Sequence, residues 1–306
     1  MFAAKAHLST RIFKTHSYSA INRGIAMPTT AEKRQEFRKL HERGCFVIPN
    51  PWDIGSARYL QNMGFKALAS TSAGYAFTLG LPDAAVDRDM MLAHLRELSA
   101  ATDIPVNADF ENGYAHDPAG VAANVTLGVE TGVAGLSIED STGDKDKPLY
   151  DLDLAVERMK AARKAIDKAG GDTLLTGRAE CFLVGRPDIH EVVTRLKAYA
   201  DAGADCLYAP AIRSREHIEA VVKAVAPKPV NLLMMTDLGF TAADCEAMGV
   251  RRISTGGTLA RVGWGAVMRS AQQIMTEGKF GDFTSAAPNA DVNNLFRADM
   301  KKRPDR

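Results

Sequence analysis

Short apolar runs recur along the chain at 45–49, 66–71, 105–109, 133–138, 173–178, 205–209, 229–233 and 251–254, and their length and bounding turn residues predict buried β-strands. Between them lie stretches with apolar residues at helical spacing, at 90–101, 118–131, 154–169, 189–202, 216–226 and 242–248. Two further helices stand near the start. One runs from Glu32 through Phe37 and Leu40 and stops by Gly44, and the second, over 54–63, is N-capped by Asp53 and stopped by Gly64. After the last strand a helix is predicted over 262–275, and the tail beyond Gly278 holds an amphipathic stretch at 292–300.

Strands that alternate with helices imply a parallel sheet, because parallel neighbours need crossover connections. Eight such units in about 250 residues match the (β/α)8 TIM barrel in number and size, with a doubly wound open sheet as the alternative. The division that follows is an extension at 1–27, a catalytic barrel at 28–275 and a partly helical tail at 276–306. A barrel makes a sharp demand, since its chemistry belongs at the C-terminal ends of the strands. Asp53, Thr71, Asp109, Glu139, Arg178, Asn231 and Ser254 all fall there or within a few residues.

Composition narrows the picture little. With 306 residues, 25% of them charged and a net charge of +1, nothing draws the chain to nucleic acid or to an anionic membrane, and no apolar run approaches the roughly 20 residues of a membrane span. Four scattered cysteines, Cys45, Cys181, Cys206 and Cys245, read as buried thiols of a reducing compartment rather than disulfides or zinc ligands. The first 27 residues carry Lys5, Arg11, Lys14 and Arg23 and no acid. That bias suits a mitochondrial transit peptide, a disordered basic extension, or an upstream start with Met27 as initiator; without a transit peptide the expectation is a cytoplasmic protein.

The candidate chemistry is acidic. Asp109 and Glu111 follow one strand, Glu139 and Asp140 another, and Asp83 lies beyond a glycine-rich turn after a third. Brought to one mouth, such carboxylates repel unless a cation neutralises them or some stay protonated. An all-oxygen set points to Mg2+ or Mn2+ rather than zinc, whereas each acid taken alone fits a solvated loop or a helix cap. Ser70, Thr71, Ser72 and Ala73 offer hydroxyls and backbone N–H groups to a carboxylate or phosphonate, or simply make a tight turn. Arg178 is placed to clamp a substrate's acid group, with a salt bridge to Glu180 or Glu139 as its structural alternative. His94, His116, His190 and His217 read as surface residues, and no Ser-His-Asp spacing, Walker loop or GxGxxG fingerprint is present.

From Phe46 to Gly257 the chain resembles the isocitrate lyase and phosphoenolpyruvate mutase superfamily. The resemblance rests on Asn50-Pro51-Trp52-Asp53, Ser70-Thr71-Ser72 leading to Leu79-Gly80-Leu81-Pro82-Asp83, Asp109-Phe110-Glu111-Asn112-Gly113-Tyr114, Gly135-Leu136-Ser137-Ile138-Glu139-Asp140, Gly177-Arg178, Ala202-Gly203-Ala204-Asp205 and Pro229-Val230-Asn231. It implies a (β/α)8 barrel in a homotetramer of dimers that swap the last helix. It also implies Mg2+ held directly at Asp109 and through water at Asp83, Glu111 and Glu139. The 2-oxo acid part of a small carboxylate substrate is expected on the backbone of Thr71, Ser72 and Ala73 and on Arg178, with Asn231 at a further strand end. Members make or break C–C or P–C bonds beside a carboxylate, and in the lyases and decarboxylases an enolpyruvate-like anion on the metal is the common intermediate.

Three departures limit what carries over. The lyases' Lys-Lys/Arg-Cys-Gly-His loop is replaced by residues 141–150, which hold neither Cys nor His. The mutases' Lys-x-Asn pair is missing from the same loop, and Pro210 stands where lyases show a glutamate after strand six. What remains suffices for Lewis-acid chemistry, so the expected activity is Mg2+-dependent cleavage of a C–C bond in a small 2-oxo or 2-hydroxy dicarboxylate, by a lyase or decarboxylase. A phosphonate mutase or hydrolase and a non-catalytic ligand-binding barrel are the alternatives. Lys145, Lys147, Tyr75 and Tyr114 are candidate proton donors.

Overall fold

The structure, a computed structural model, describes residues 27–303. The extension predicted at 1–27 lies, Met27 apart, outside them. Eight parallel strands run in the order β1-β8-β7-β6-β5-β4-β3-β2. They are β1 (Phe46–Ile48), β2 (Leu68–Ala69), β3 (Val106–Asp109), β4 (Gly135–Glu139), β5 (Leu174–Arg178), β6 (Cys206–Tyr208), β7 (Val230–Leu233) and β8 (Arg252–Ser254). The seam between β1 and β2 is bridged by the Ala69 N–H, which donates to the Pro49 carbonyl at 3.1 Å. The molecule is therefore the (β/α)8 barrel, not an open sheet.

The helices are α1 (Thr30–Leu40), α2 (Ile54–Met63), α3 (Ser72–Thr78), α4 (Arg88–Ala101), α5 (Pro118–Glu130), α6 (Leu152–Lys168), α7 (Ile189–Asp201), α8 (Arg215–Val225), α9 (Ala242–Ala247), α10 (Thr258–Glu277) and α11 (Asn289–Lys302). Local chemistry explains their starts. Asp53 caps α2 as expected, and Gly64 ends it in the left-handed region at φ 100°. Asp87, Asp117 and Asp188 cap α4, α5 and α7 through their carboxylates.

Helix α1 closes the barrel floor. Its fully buried Phe37 packs with Ile48, Ala67, Ala69, Ala134 and Leu174. Gly135 is demanded by this plug, since a Cβ there would stand 2.7 Å from Phe37 and 2.7 Å from the Asn107 amide oxygen. Above that floor the barrel interior turns polar. Asn107, Ser137, Thr176, Asn231 and Arg252 are all buried there, where most barrels of this kind are filled by branched apolar side chains.

At the C-terminal end the chain turns outward. Helix α10 buries only Ala260 and leaves Val262, Trp264, Val267 and Met268 exposed. Helix α11 returns to α2, where Asp299 accepts from Asn62 Nδ2 at 3.0 Å and pairs with Arg58 at 3.3 Å. Among the described residues no helix is long and apolar enough to cross a membrane. All four cysteines are free thiols, three of them buried.

Candidate active site

Register aligns the predicted acids along one rim. Glu139 sits opposite Arg178, Arg178 opposite Tyr208, and Asp109 opposite Ser137, all at the C-terminal edge of the sheet. Arg178 is the hub. It lies 2.8 Å from Asp109, 3.1 Å from Glu139 and 2.8 Å from Glu180, with its guanidinium over the Tyr208 ring at 5.0 Å. The salt bridges held open as its structural role are therefore made, and a substrate carboxylate would have to share the guanidinium with three acids.

The turn after β2 supplies the other half. Ser72 donates to Asp109 Oδ2 from its backbone N–H at 3.1 Å and its hydroxyl at 3.0 Å, and the same hydroxyl reaches Asp83 at 3.5 Å. The Ser70 hydroxyl accepts the Asp109 N–H at 2.8 Å. Thr71 caps α3, a helix the sequence reading took for a turn. In this form part of the cradle over 70–73 thus holds the protein's own Asp109.

Glu111 and Tyr114 occupy a loop in which both are left-handed, at φ 45° and 55°. Their side chains meet, the Tyr114 hydroxyl donating to Glu111 at 3.3 Å. The loop is clamped from below by Arg158, which donates to the carbonyls of Asn112, Ala115 and His116. Burial, then the charge of Asp109, pushes the Glu111 carboxyl up to about 7. Burial also holds Glu139 well above the usual carboxylate range against the opposing pull of Arg178. Asp83, on the exposed rim, is raised by desolvation and then by Asp109.

Asp140 is different in kind. It accepts from Arg195 at 3.1 Å, from Tyr199 at 2.5 Å and from the Glu180 N–H at 2.8 Å, so it locks the outside of the barrel end. One reading of the histidines is corrected. His94 is buried and stacked on Tyr75 at 3.8 Å, with its pKa lowered to about 4 chiefly by burial. His217 is half-buried against Phe182 at 5.5 Å, while His116 and His190 are exposed.

A cavity of about 260 Å³ opens beside these groups, lined at its mouth by Ser70, Thr71, Ser72, Ala73, Asp83, Asp109 and Arg178. Deeper walls include Asn231, Asn107 and Arg252. Sequence reasoning missed several lining residues. Asn50 carries the one legible signal, a polar residue between a strand and a proline; its amide holds the Ser70 carbonyl at 2.8 Å and accepts from the Thr255 and Gly256 N–H groups at 2.9 Å. Tyr208 and Arg252 sit inside strands, where composition gives no hint. Of the candidate proton donors none lines this cavity. Tyr114 touches Glu111, Tyr75 stacks on His94, Lys147 pairs with Asp151 at 2.7 Å and Lys145 lines a neighbouring hollow.

The donor set fits a hard divalent cation in its chemistry. Several acids share one guanidinium, all donors are oxygens, and burial first and mutual repulsion after it raise the carboxyl pKa values of Asp83, Glu111 and Glu139. Arg178 nevertheless occupies Asp109 and Glu139, and among the described residues no three acids, histidines or cysteines close on a single point.

The sequence profile of phosphoenolpyruvate phosphomutase matches residues 37–275. The chain belongs to that family. It is an enzyme of the isocitrate lyase and phosphoenolpyruvate mutase superfamily, among the carbon–carbon lyases. A structure from Burkholderia cenocepacia J2315, assigned provisionally as a lyase/mutase, is 46% identical with a TM-score of 0.85 and covers 88% of this chain and 97% of its own. An oxaloacetate decarboxylase of Paraburkholderia xenovorans is 30% identical over 216 residues, 66% of this chain and 69% of its own length. The structure of an oxaloacetate acetylhydrolase in complex with the product oxalate is 27% identical, with a TM-score of 0.77 over 91% of this chain and 99% of its own.

Proposed function

We propose that the protein cleaves a C–C bond in a small 2-oxo or 2-hydroxy dicarboxylate, as a lyase or decarboxylase that requires Mg2+, or Mn2+ in its place. The observation that carries this reading is the pairing of Asp109 and Glu139 with Arg178, with Asp83 reached through the Ser72 hydroxyl and Glu111 close enough to feel the Asp109 charge, beside a cavity that Asp83, Asp109 and Arg178 line. The oxalate complex of the acetylhydrolase and the name of the decarboxylase support it.

Asp109 would hold the cation directly, with Asp83, Glu111 and Glu139 around it, and the cation would supply Lewis-acid polarisation of the oxygen beside the breaking bond. The chain's own groups do the rest. Arg178 and the 70–73 turn hold the retained carboxylate and fix the plane of the neighbouring carbonyl. In a 2-oxo substrate the electrons of the breaking C–C bond flow into that carbonyl. In a 2-hydroxy substrate the hydroxyl gives its proton to a base and becomes a carbonyl, and the electrons flow to the carboxylate of the departing fragment. In both the carbon that receives them then takes a proton. The loop at 141–150 has no Cys or His to give that proton, and a water at the cavity mouth supplies it.

The same reading places the enzyme in the cytoplasm as a homo-oligomer whose partner covers α10. A panel of 2-oxo and 2-hydroxy dicarboxylates tests the activity. Carbon dioxide or a smaller oxo acid should be released with Mg2+, lost with a chelator, and reduced roughly 10³-fold or more in Asp109→Asn. Turnover of phosphonates alone would transfer the site to P–C chemistry. Metal binding without any turnover would make it a binding protein.

A further inference from the structure

Arg252 enters the barrel from β8 and is 3% exposed, yet it lines the deep wall of the cavity. Every hydrogen-bond partner it has among the described residues is neutral. Its Nε donates to Asn231 Oδ1 at 2.7 Å, one terminal nitrogen reaches Thr176 Oγ1 at 3.2 Å, and the other reaches His41 Nε2 at 3.3 Å. His41 adds no charge, because burial first and Arg252 second lower its pKa to about 3. An arginine does not give up its proton in a protein, and a buried charge without a counter-charge is costly. Three of the five guanidinium N–H bonds are spent on these partners, which leaves two for a ligand.

The cavity has room for more than the mouth requires. Its volume of about 260 Å³ corresponds to roughly nine waters at ~30 Å³ each, whereas oxalate has only six heavy atoms. We propose that the inner end of the cavity is a second anion subsite, in which Arg252 takes the distal carboxylate of the substrate. This deepens the dicarboxylate reading and rests on it. Arg178 and the 70–73 turn would hold one end of the molecule, and Arg252 would make a second acid group necessary for tight binding.

Calorimetric binding in Mg2+ separates the two ends, with oxalate reporting on the mouth and malate on both. Arg252→Met should weaken malate roughly ten- to hundred-fold and leave oxalate within about twofold. Because Arg252 also ties β7, β5 and α1 together, Ala69→Val serves as the companion variant. It narrows the inner end at the layer of Asn107 without touching Arg252, and should show the same selective loss. Malate affinity unchanged in either folded variant, or oxalate and malate weakened equally, overturns the inner subsite while the reading of the mouth stands. Failure of the wild-type protein to bind oxalate at all would remove the mouth reading, and the inner subsite with it.

Discussion

At the scale of single residues the molecule is a problem in charge. Arg178 is held by Asp109, Glu139 and Glu180, so Arg178→Ala would do more than silence the site. It would strand buried carboxylates, a change that costs about 3–5 kcal/mol in comparable cases, and thermal unfolding should register it where Asp109→Asn does not. Glu111 gives a pH signature. Its folded pKa, about 7, lies above the ordinary glutamate value of 4.5, so its contribution to stability is fully present below about 4.5 and is lost as pH rises through about 7. Glu111→Gln should flatten the stability–pH curve across that window, and denaturant titrations at a series of pH values will show whether it does. The residues readable from sequence were those whose position alone betrays them, acids and an arginine where apolar runs stop. Arg252, Asn107 and Tyr208 were not readable, because a polar side chain within a strand looks the same whether it faces a cavity or finds a partner in the wall.

At the scale of elements the apolar runs were a good guide, since each marks a strand, and all but β1, whose Phe46 and Val47 are half-buried, are buried along most of their length. The helix α3 escaped notice because Ser72-Ala73-Gly74-Tyr75 has the composition of a turn. It becomes helical because the Thr71 hydroxyl accepts the Gly74 N–H at 3.2 Å and Gly74 packs tightly, where a Cβ would meet Trp52 at 3.0 Å. Helix α1 was legible as a helix but not as the barrel's floor, a role that depends on strands far along the chain. Phe37 carries that role. Phe37→Ala should cost about 3–5 kcal/mol, read from the midpoint of urea unfolding.

For the whole molecule the unpaired feature is α10. Trp264 and Met268 form a hollow with Phe77 and Leu81 beside the cavity, and exposed apolar surface of this kind marks a contact face. The last helix, α11, packs on its own barrel, so the swap implied by the resemblance falls to α10, with a second copy of this chain as its partner. Wild-type protein should sediment as a dimer or tetramer, and Trp264→Glu with Met268→Glu should sediment as a monomer; a monomeric wild type would remove the proposal.

The central claim is that the acids at the mouth are arranged for a hard cation and a bound carboxylate, with Arg178 standing in until they arrive. A crystal structure of the protein with Mg2+ and oxalate tests it most directly. The cation should sit on Asp109 with Asp83, Glu111 and Glu139 around it, and Arg178 should turn from Asp109 to the oxalate. An Arg178–Asp109 bond left intact at 2.8 Å, with no cation between the acids at saturating Mg2+ and oxalate, would contradict it.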